Sequence, residues 1–172
     1  MALSTHHSSP TTSIWSRKLD LIYIVFLSLL TFLALTLDFI PLYPIPLPSW
    51  CQALYTYYRT HYNDPLYARD PPFFRFYVAL EVVYNVPVSL WAIRGLVKDD
   101  IMTPVHLLVF ATHLVVSTVV CLVEVLGAED WPRESVRKNV PGYVLFLGIA
   151  VVLWVDMFGR VRARVLGKAK VN

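Results

Sequence analysis

The sequence predicts an all-α polytopic membrane protein, a four-transmembrane-helix bundle with a short amphipathic luminal helix between helices 1 and 2. Three observations carry this prediction. Hydrophobic residues make up 56% of the 172 and charged residues only 16%, with a mean hydropathy of +0.54. A soluble domain usually carries about 25% charged residues. Four apolar stretches of about 19–24 residues recur along the chain, and a helix rising 1.5 Å per residue needs about 20 to cross the hydrocarbon core. The one long connection among them is aromatic rather than polar. This balance excludes a soluble globule, a disordered protein and a nucleic-acid binder, and the net charge of +3 is too small to suggest a polyanion partner. Twelve prolines against six glycines exclude a low-complexity linker. Two cysteines, Cys51 and Cys121, make no disulfide framework, and Cys121 reads as a small core residue.

Residues 1–18 read as a disordered cytoplasmic tail, and no signal-peptide pattern begins at Met1. A transmembrane domain follows over 19–158. Its spans run roughly from Leu19 to Ile40, Phe73 to Leu96, Thr103 to Leu126 and Val140 to Phe158. Pro104 and Pro141 fall in first turns, where proline costs little. Pro87 lies mid-span, removes one hydrogen bond and predicts a kink. Residues 159–172 form a basic tail.

Lysine and arginine counts set the orientation. Four spans place both termini and the 96–102 loop on one side, with Arg17, Lys18, Arg94, Lys98, Arg160, Arg162, Arg164, Lys168 and Lys170. Six basic residues lie on the other side, so both termini are predicted to be cytoplasmic. Lys170 and Lys168 stand third and fifth from the end. That spacing fits a dilysine signal read by coat proteins and retrieving the chain to the endoplasmic reticulum membrane. The other reading is a basic tail anchored at anionic headgroups.

Between spans one and two, PLYPIPLP precedes SWCQALYTYYRTHY, which reads as an amphipathic helix. Ser49 is the expected N-cap. Trp50, Leu54, Tyr57, Tyr58 and His61 fall on one face, and Asn63-Asp64-Pro65 ends the helix. The stretch is either a cover over the bundle or an aromatic belt at the membrane surface.

An ionisable group inside a span is costly and is by default a functional hypothesis. Asp38 lies near the luminal end of span one. Glu81 lies about eight residues into span two, roughly 12 Å down the helix axis. The spans are antiparallel, so both carboxylates fall in the luminal half. Asn85 lies one turn below Glu81 and Tyr77 one turn above, on the same face. Two carboxylates in a poorly hydrated cavity would hold one proton between them and could accept an amine, bond a hydroxyl, or act as an acid/base couple. The alternative is a buried carboxylate that only joins helices. In span three His106, Phe110, His113 and Ser117 share a stripe, with Thr112 beside it. They form either a polar cavity wall or an interhelical hydrogen-bonding stripe. Glu124 and Asp156 are expected at the interfaces. No third ligand at a suitable spacing supports a metal, and no motif calls for a cofactor.

The order of motifs is LTLDFIP, then YNDPLY, DPPFFRF, LEVVYNVP and MTP. Over roughly 19–158 it resembles the EXPERA-domain proteins of the emopamil-binding-protein superfamily, and it is closest to the sigma-2 receptor-like branch. The resemblance implies a four-helix bundle with a central cavity opening laterally to the membrane. It implies an aspartate and a glutamate receiving a ligand amine, carried over to Asp38 and Glu81, with Asn85 as the following amide and Asp64 as a turn-forming residue. His113 and Tyr143 are candidates in spans three and four. The resemblance also implies sterol and oxysterol binding, a part in lipid homeostasis, membrane lipids as partners, and a homodimer. The emopamil-binding branch implies instead a sterol or terpenoid isomerase or cyclase with Asp38 and Glu81 as acid and base. A fungal-type branch implies an adaptor in mitochondrial precursor biogenesis at the endoplasmic reticulum surface.

Overall fold

The computed structural model describes residues 13–40, 43 and 47–169. Every regular element among them is helical. A 3₁₀ turn over Ile14–Ser16 falls within the stretch assigned to the N-terminal tail. The elements are α1 (Lys18–Leu33), α2 (Ser49–Tyr62), α3 (Pro65–Arg69), α4 (Pro72–Leu80), α5 (Val86–Lys98), α6 (Thr103–Leu126) and α7 (Arg133–Ala169). A π turn at Ala34–Asp38 extends α1, and another at Glu81–Asn85 joins α4 to α5. Four helical segments are long and apolar enough to cross a membrane: Lys18–Asp38, Pro72–Lys98, Thr103–Leu126 and Arg133–Gly167.

The packing is that of a protein surrounded by lipid. Tyr23, Leu27 and Leu30 of α1 meet Ala92 and Leu96 of α5, Phe110 and Leu114 of α6, and Leu153 and Met157 of α7 in one core. The outward faces are also apolar, with Val25, Leu29, Val109, Val116, Leu145 and Val152 exposed. Lipid gives a backbone no hydrogen-bond partner, so only continuous helices satisfy it there. α1 packs chiefly on α5, and α6 on α7. At the turn between α5 and α6 a Cβ on Gly95 would collide with the Thr103 side chain. Asp100 then opens α6 by accepting the N–H groups of Met102 and Thr103 at 3.2 and 3.1 Å.

Three local expectations need correction. Helix α7 runs well beyond 140–158 at both ends and is 37 residues long, because hydropathy sees only the part inside the hydrocarbon layer. Pro141 consequently sits inside the helix rather than in its first turn. Ser49 does not cap α2; Pro48 occupies the cap position, with no side-chain bond. On α2, Cys51 is buried and Leu54, Tyr58 and Tyr62 are half-buried, whereas Trp50, Tyr57 and His61 are exposed. An aromatic residue gains at a headgroup boundary as well as in a core, so aromatic content alone does not say which face turns inward.

The end of the bundle that carries the termini is locked by ions. Asp20 is 1% exposed. It pairs with Arg17 at 2.8 Å and with Arg160 of α7 at 2.7 Å, and Arg160 also pairs with Asp156 at 2.8 Å. Arg17 reaches Asp99 and the Val97 carbonyl in the α5–α6 turn, each at 3.3 Å. Removing one member of a buried pair strands its partners. We expect Asp20→Ala to cost about 3 kcal/mol, read as a lowered melting temperature of the detergent-solubilised protein. Arg75→Ala, which breaks the exposed Asp70–Arg75 pair, should cost under about 1 kcal/mol. Equal effects would show that Asp20 is not a keystone.

Candidate functional site

The opposite end of the bundle, beneath α2 and α3, is built around carboxyl groups. Each π turn carries one of them. The Phe39 N–H bonds the Ala34 carbonyl at 3.0 Å, and the Val86 N–H bonds that of Glu81, both five residues back. Such a turn wedges one extra residue into the helix, and it is frequent at functional sites. Pro87 explains the second turn: it donates no hydrogen bond and its ring crowds the carbonyl four residues earlier, so the helix widens just before it. The first π turn ends at Asp38 and the second begins at Glu81.

The structure brings these two carboxyls together. They lie close enough to interact, and the Tyr67 phenol of α3 donates to Asp38 Oδ1. Two carboxyl groups can share a hydrogen bond only if one holds a proton. Asp64 lies beside them and is 1% exposed. Its Oδ1 accepts the Leu66 N–H at 2.8 Å and caps α3. Its Oδ2 accepts the phenols of Tyr143 at 2.9 Å and Tyr58 at 3.3 Å. Asp64 therefore ties α2, α3 and α7 together, in keeping with a turn-forming role. Asn63, left-handed at φ 45°, ends α2, and its carbonyl accepts the Trp131 indole N–H at 2.7 Å. Asn139 donates to the Tyr62 carbonyl at 2.9 Å. Leu66, Cys121, Val125 and Val136 form the apolar floor of this corner.

The remaining candidates divide. Asn85 is 2% exposed and its Oδ1 has no protein partner. His113 stands half-buried between the rings of Tyr77 and Tyr84, at centroid distances of 6.2 and 6.0 Å. Phe110 and Ser117 of the expected stripe are buried, but His106 is exposed, edge-on to Trp91. Thr112 is exposed, donates to the Leu108 carbonyl and accepts the Trp154 N–H. Tyr143 is committed to Asp64 rather than to the acid pair. Lys168 belongs to the last turns of α7, and Lys170 lies outside the described residues. Among the described residues no three His, Cys, Asp or Glu side chains gather as a metal site. Sequence reasoning missed Tyr67 and Asp20. Tyr67 could have been suspected from its place three residues after the capping Asp64. Asp20 has no comparable local signal, because its second arginine comes from α7.

The contrast between the two ends is chemical. Asp20 has two arginines. Among the described residues no lysine or arginine stands among the groups acting on Asp38, Glu81 or Asp64. What the geometry defines is a four-helix membrane protein with a half-buried acid pair near one end and, among the described residues, no lysine or arginine acting on it. The chain belongs to the EXPERA family, the expanded EBP superfamily, whose pattern matches residues 50–157. No match is found among curated proteins or among solved structures.

Burial is the largest influence on Asp64 and holds its pKa above the ordinary carboxylate value, against three hydrogen bonds that favour the charged form. A carboxyl raised in the folded state loses stability as pH climbs through that raised value and regains it on acidification. We expect the melting temperature of the wild type, relative to Asp64→Asn, to rise as pH falls from neutral to about 4. A flat difference across that window would exclude Asp64 as the titrating group.

Proposed function

We propose that this protein binds sterols or other amphiphilic, cationic lipids in an intramembrane cavity whose polar wall includes Asp38, Glu81, Tyr77, Asn85 and His113. The observation that carries this reading is the acid pair without a counter-ion. Two carboxyls sharing one proton still hold a negative charge at a poorly hydrated level, and such a charge is costly unless paired. A protonated amine on an apolar body supplies both the charge and the hydrophobic fit. The unpartnered Asn85 amide oxygen adds an acceptor on the same helix face as Glu81.

In this reading the protein resides in the endoplasmic reticulum with both termini cytoplasmic, returns there through Lys168 and Lys170, and serves sterol and lipid homeostasis. The sigma-2 receptor-like branch of the family fits best, since the paired acids and the amide after the glutamate belong to the same motifs. A homodimer is part of that reading.

A second reading is favoured by the same shared proton. An acid/base couple in a dry site could move a double bond of a sterol or terpenoid, as in the emopamil-binding branch. One experiment separates the two. A photo-crosslinkable sterol is offered to the reconstituted protein, wild type beside Glu81→Gln and Asp38→Asn, and the recovered sterol is analysed by mass spectrometry. We expect saturable binding that weakens by about tenfold or more in either variant, with the sterol recovered unchanged. An isomer formed by the wild type alone would make the protein an isomerase. Absence of binding to all three would leave the adaptor role.

The address is tested separately. Replacing both Lys168 and Lys170 by alanine should move a tagged protein from the endoplasmic reticulum to later compartments, read by microscopy. An unchanged distribution would reduce the two lysines to a headgroup anchor.

A further inference from the structure

We propose that Tyr67 is the positioning residue of the acid pair. Its phenol holds Asp38 as the hydrogen-bond acceptor and leaves the shared proton on Glu81, so the pair offers one carboxylate of fixed orientation to a cationic group. The cationic partner rests on the functional reading above; the placing of the proton does not.

Three observations support this. Tyr67 comes from α3, outside the spanning helices, yet its phenol meets Asp38 Oδ1 directly. Its ring is wedged edge-on between Tyr58 of α2 and Phe74 of α4, with centroids 5.2 and 5.0 Å away, so it has little freedom to turn aside. Asp64 fixes where α3 begins, which sets the position of Tyr67 three residues on.

The direction of the hydrogen bonds follows. Burial, then the charge of Asp38, raise the Tyr67 pKa well above its ordinary value, so the phenol keeps its proton and donates at any pH of interest. Asp38 Oδ1 is thereby always an acceptor. The one proton available between the two acids is then best placed on Glu81, which donates it to Asp38. The other titratable groups at this corner are Asp64, Tyr58 of α2, Cys121 of α6 and Tyr143 of α7. Asp64 already has three donors, so it caps and ties helices and does not compete for the shared proton.

A hydrogen bond to the charged form of an acid favours that form. Removing the Tyr67 hydroxyl should therefore let the pair take up a second proton more readily and lose its charge at a higher pH. The test uses the full chain in phosphatidylcholine nanodiscs and a fluorescent long-chain quaternary ammonium amphiphile, whose charge does not titrate. Tyr67→Phe should bind it about tenfold more weakly near neutral pH, and the deficit should shrink as pH rises. Tyr58→Phe, which disturbs the same aromatic cluster but donates to Asp64, should show no such pH-dependent deficit. Replacing Tyr67 by 3-fluorotyrosine keeps the packing and strengthens the donor, and should shift the profile the other way. A deficit of the same size at every pH, or none, would overturn the proposal.

Infrared spectroscopy supplies a readout that needs no ligand. The protonated-carboxyl band abolished by Glu81→Gln should persist to higher pH in Tyr67→Phe than in the wild type. If the amphiphile fails to bind the wild type while this band shifts, the ligand reading falls and the role of Tyr67 stands. If the amphiphile binds but the band is unmoved, Tyr67 does not place the proton.

Discussion

A carboxyl group taken out of bulk water must have its charge held by some other part of the fold, and this chain meets that demand in three ways. Asp20 is held by two arginines, Asp64 by one backbone N–H and two phenols, and Asp38 by a phenol and a second acid. Each solution draws partners from distant parts of the chain. Asp20 gathers the start of α1, the α5–α6 turn and the far end of α7. Asp64 gathers α2, α3 and the near end of α7. Asp38 gathers α3 and the π turn that opens into α5. The helices are thus held at their ends by buried polar groups and in the middle by an apolar core.

The middle of the bundle gains little specificity from hydrophobicity, because lipid tails are as apolar as the core. That makes the polar ends important for register. Asp20 and Asp38 stand at opposite ends of the first spanning segment, and each meets a partner on a different helix. Sliding that segment by a turn against its neighbours would unpair both at once. Interactions of this type are a recognised source of register in helix assemblies.

The ends differ in what they leave over. At the end with the termini, acids and arginines meet within 3.3 Å and their charges are paired. At the α2–α3 end, among the described residues, no lysine or arginine acts on Asp38, Glu81 or Asp64, and the Asn85 amide oxygen lacks a protein partner. A buried polar group without a partner is expensive and is kept where something else supplies the bond. Two π turns are a further departure from the most stable backbone, and each carries one acid of the pair. The structural lock and the proposed binding site thus occupy opposite ends of the bundle.

Hydropathy and length by themselves determined four spans, because a backbone in lipid has to bond to itself and needs about 20 residues to cross. The cost of a charge in that setting singled out Asp38 and Glu81 before any contact was known. The helical pattern also found α2 and its end at Asn63. Only the tertiary structure decided the rest. Which face of α2 turned inward depended on the neighbours it met, since Trp50 and Tyr57 can serve a membrane surface as well as a core. The length of α7 depended on polar turns that hydropathy does not register. Tyr67 became a partner of Asp38, and Arg160 of Asp20, through contacts 29 and 140 residues apart in sequence. A local pattern reports what a residue must avoid, such as water or lipid; the partner that satisfies it is chosen by how the helices come together.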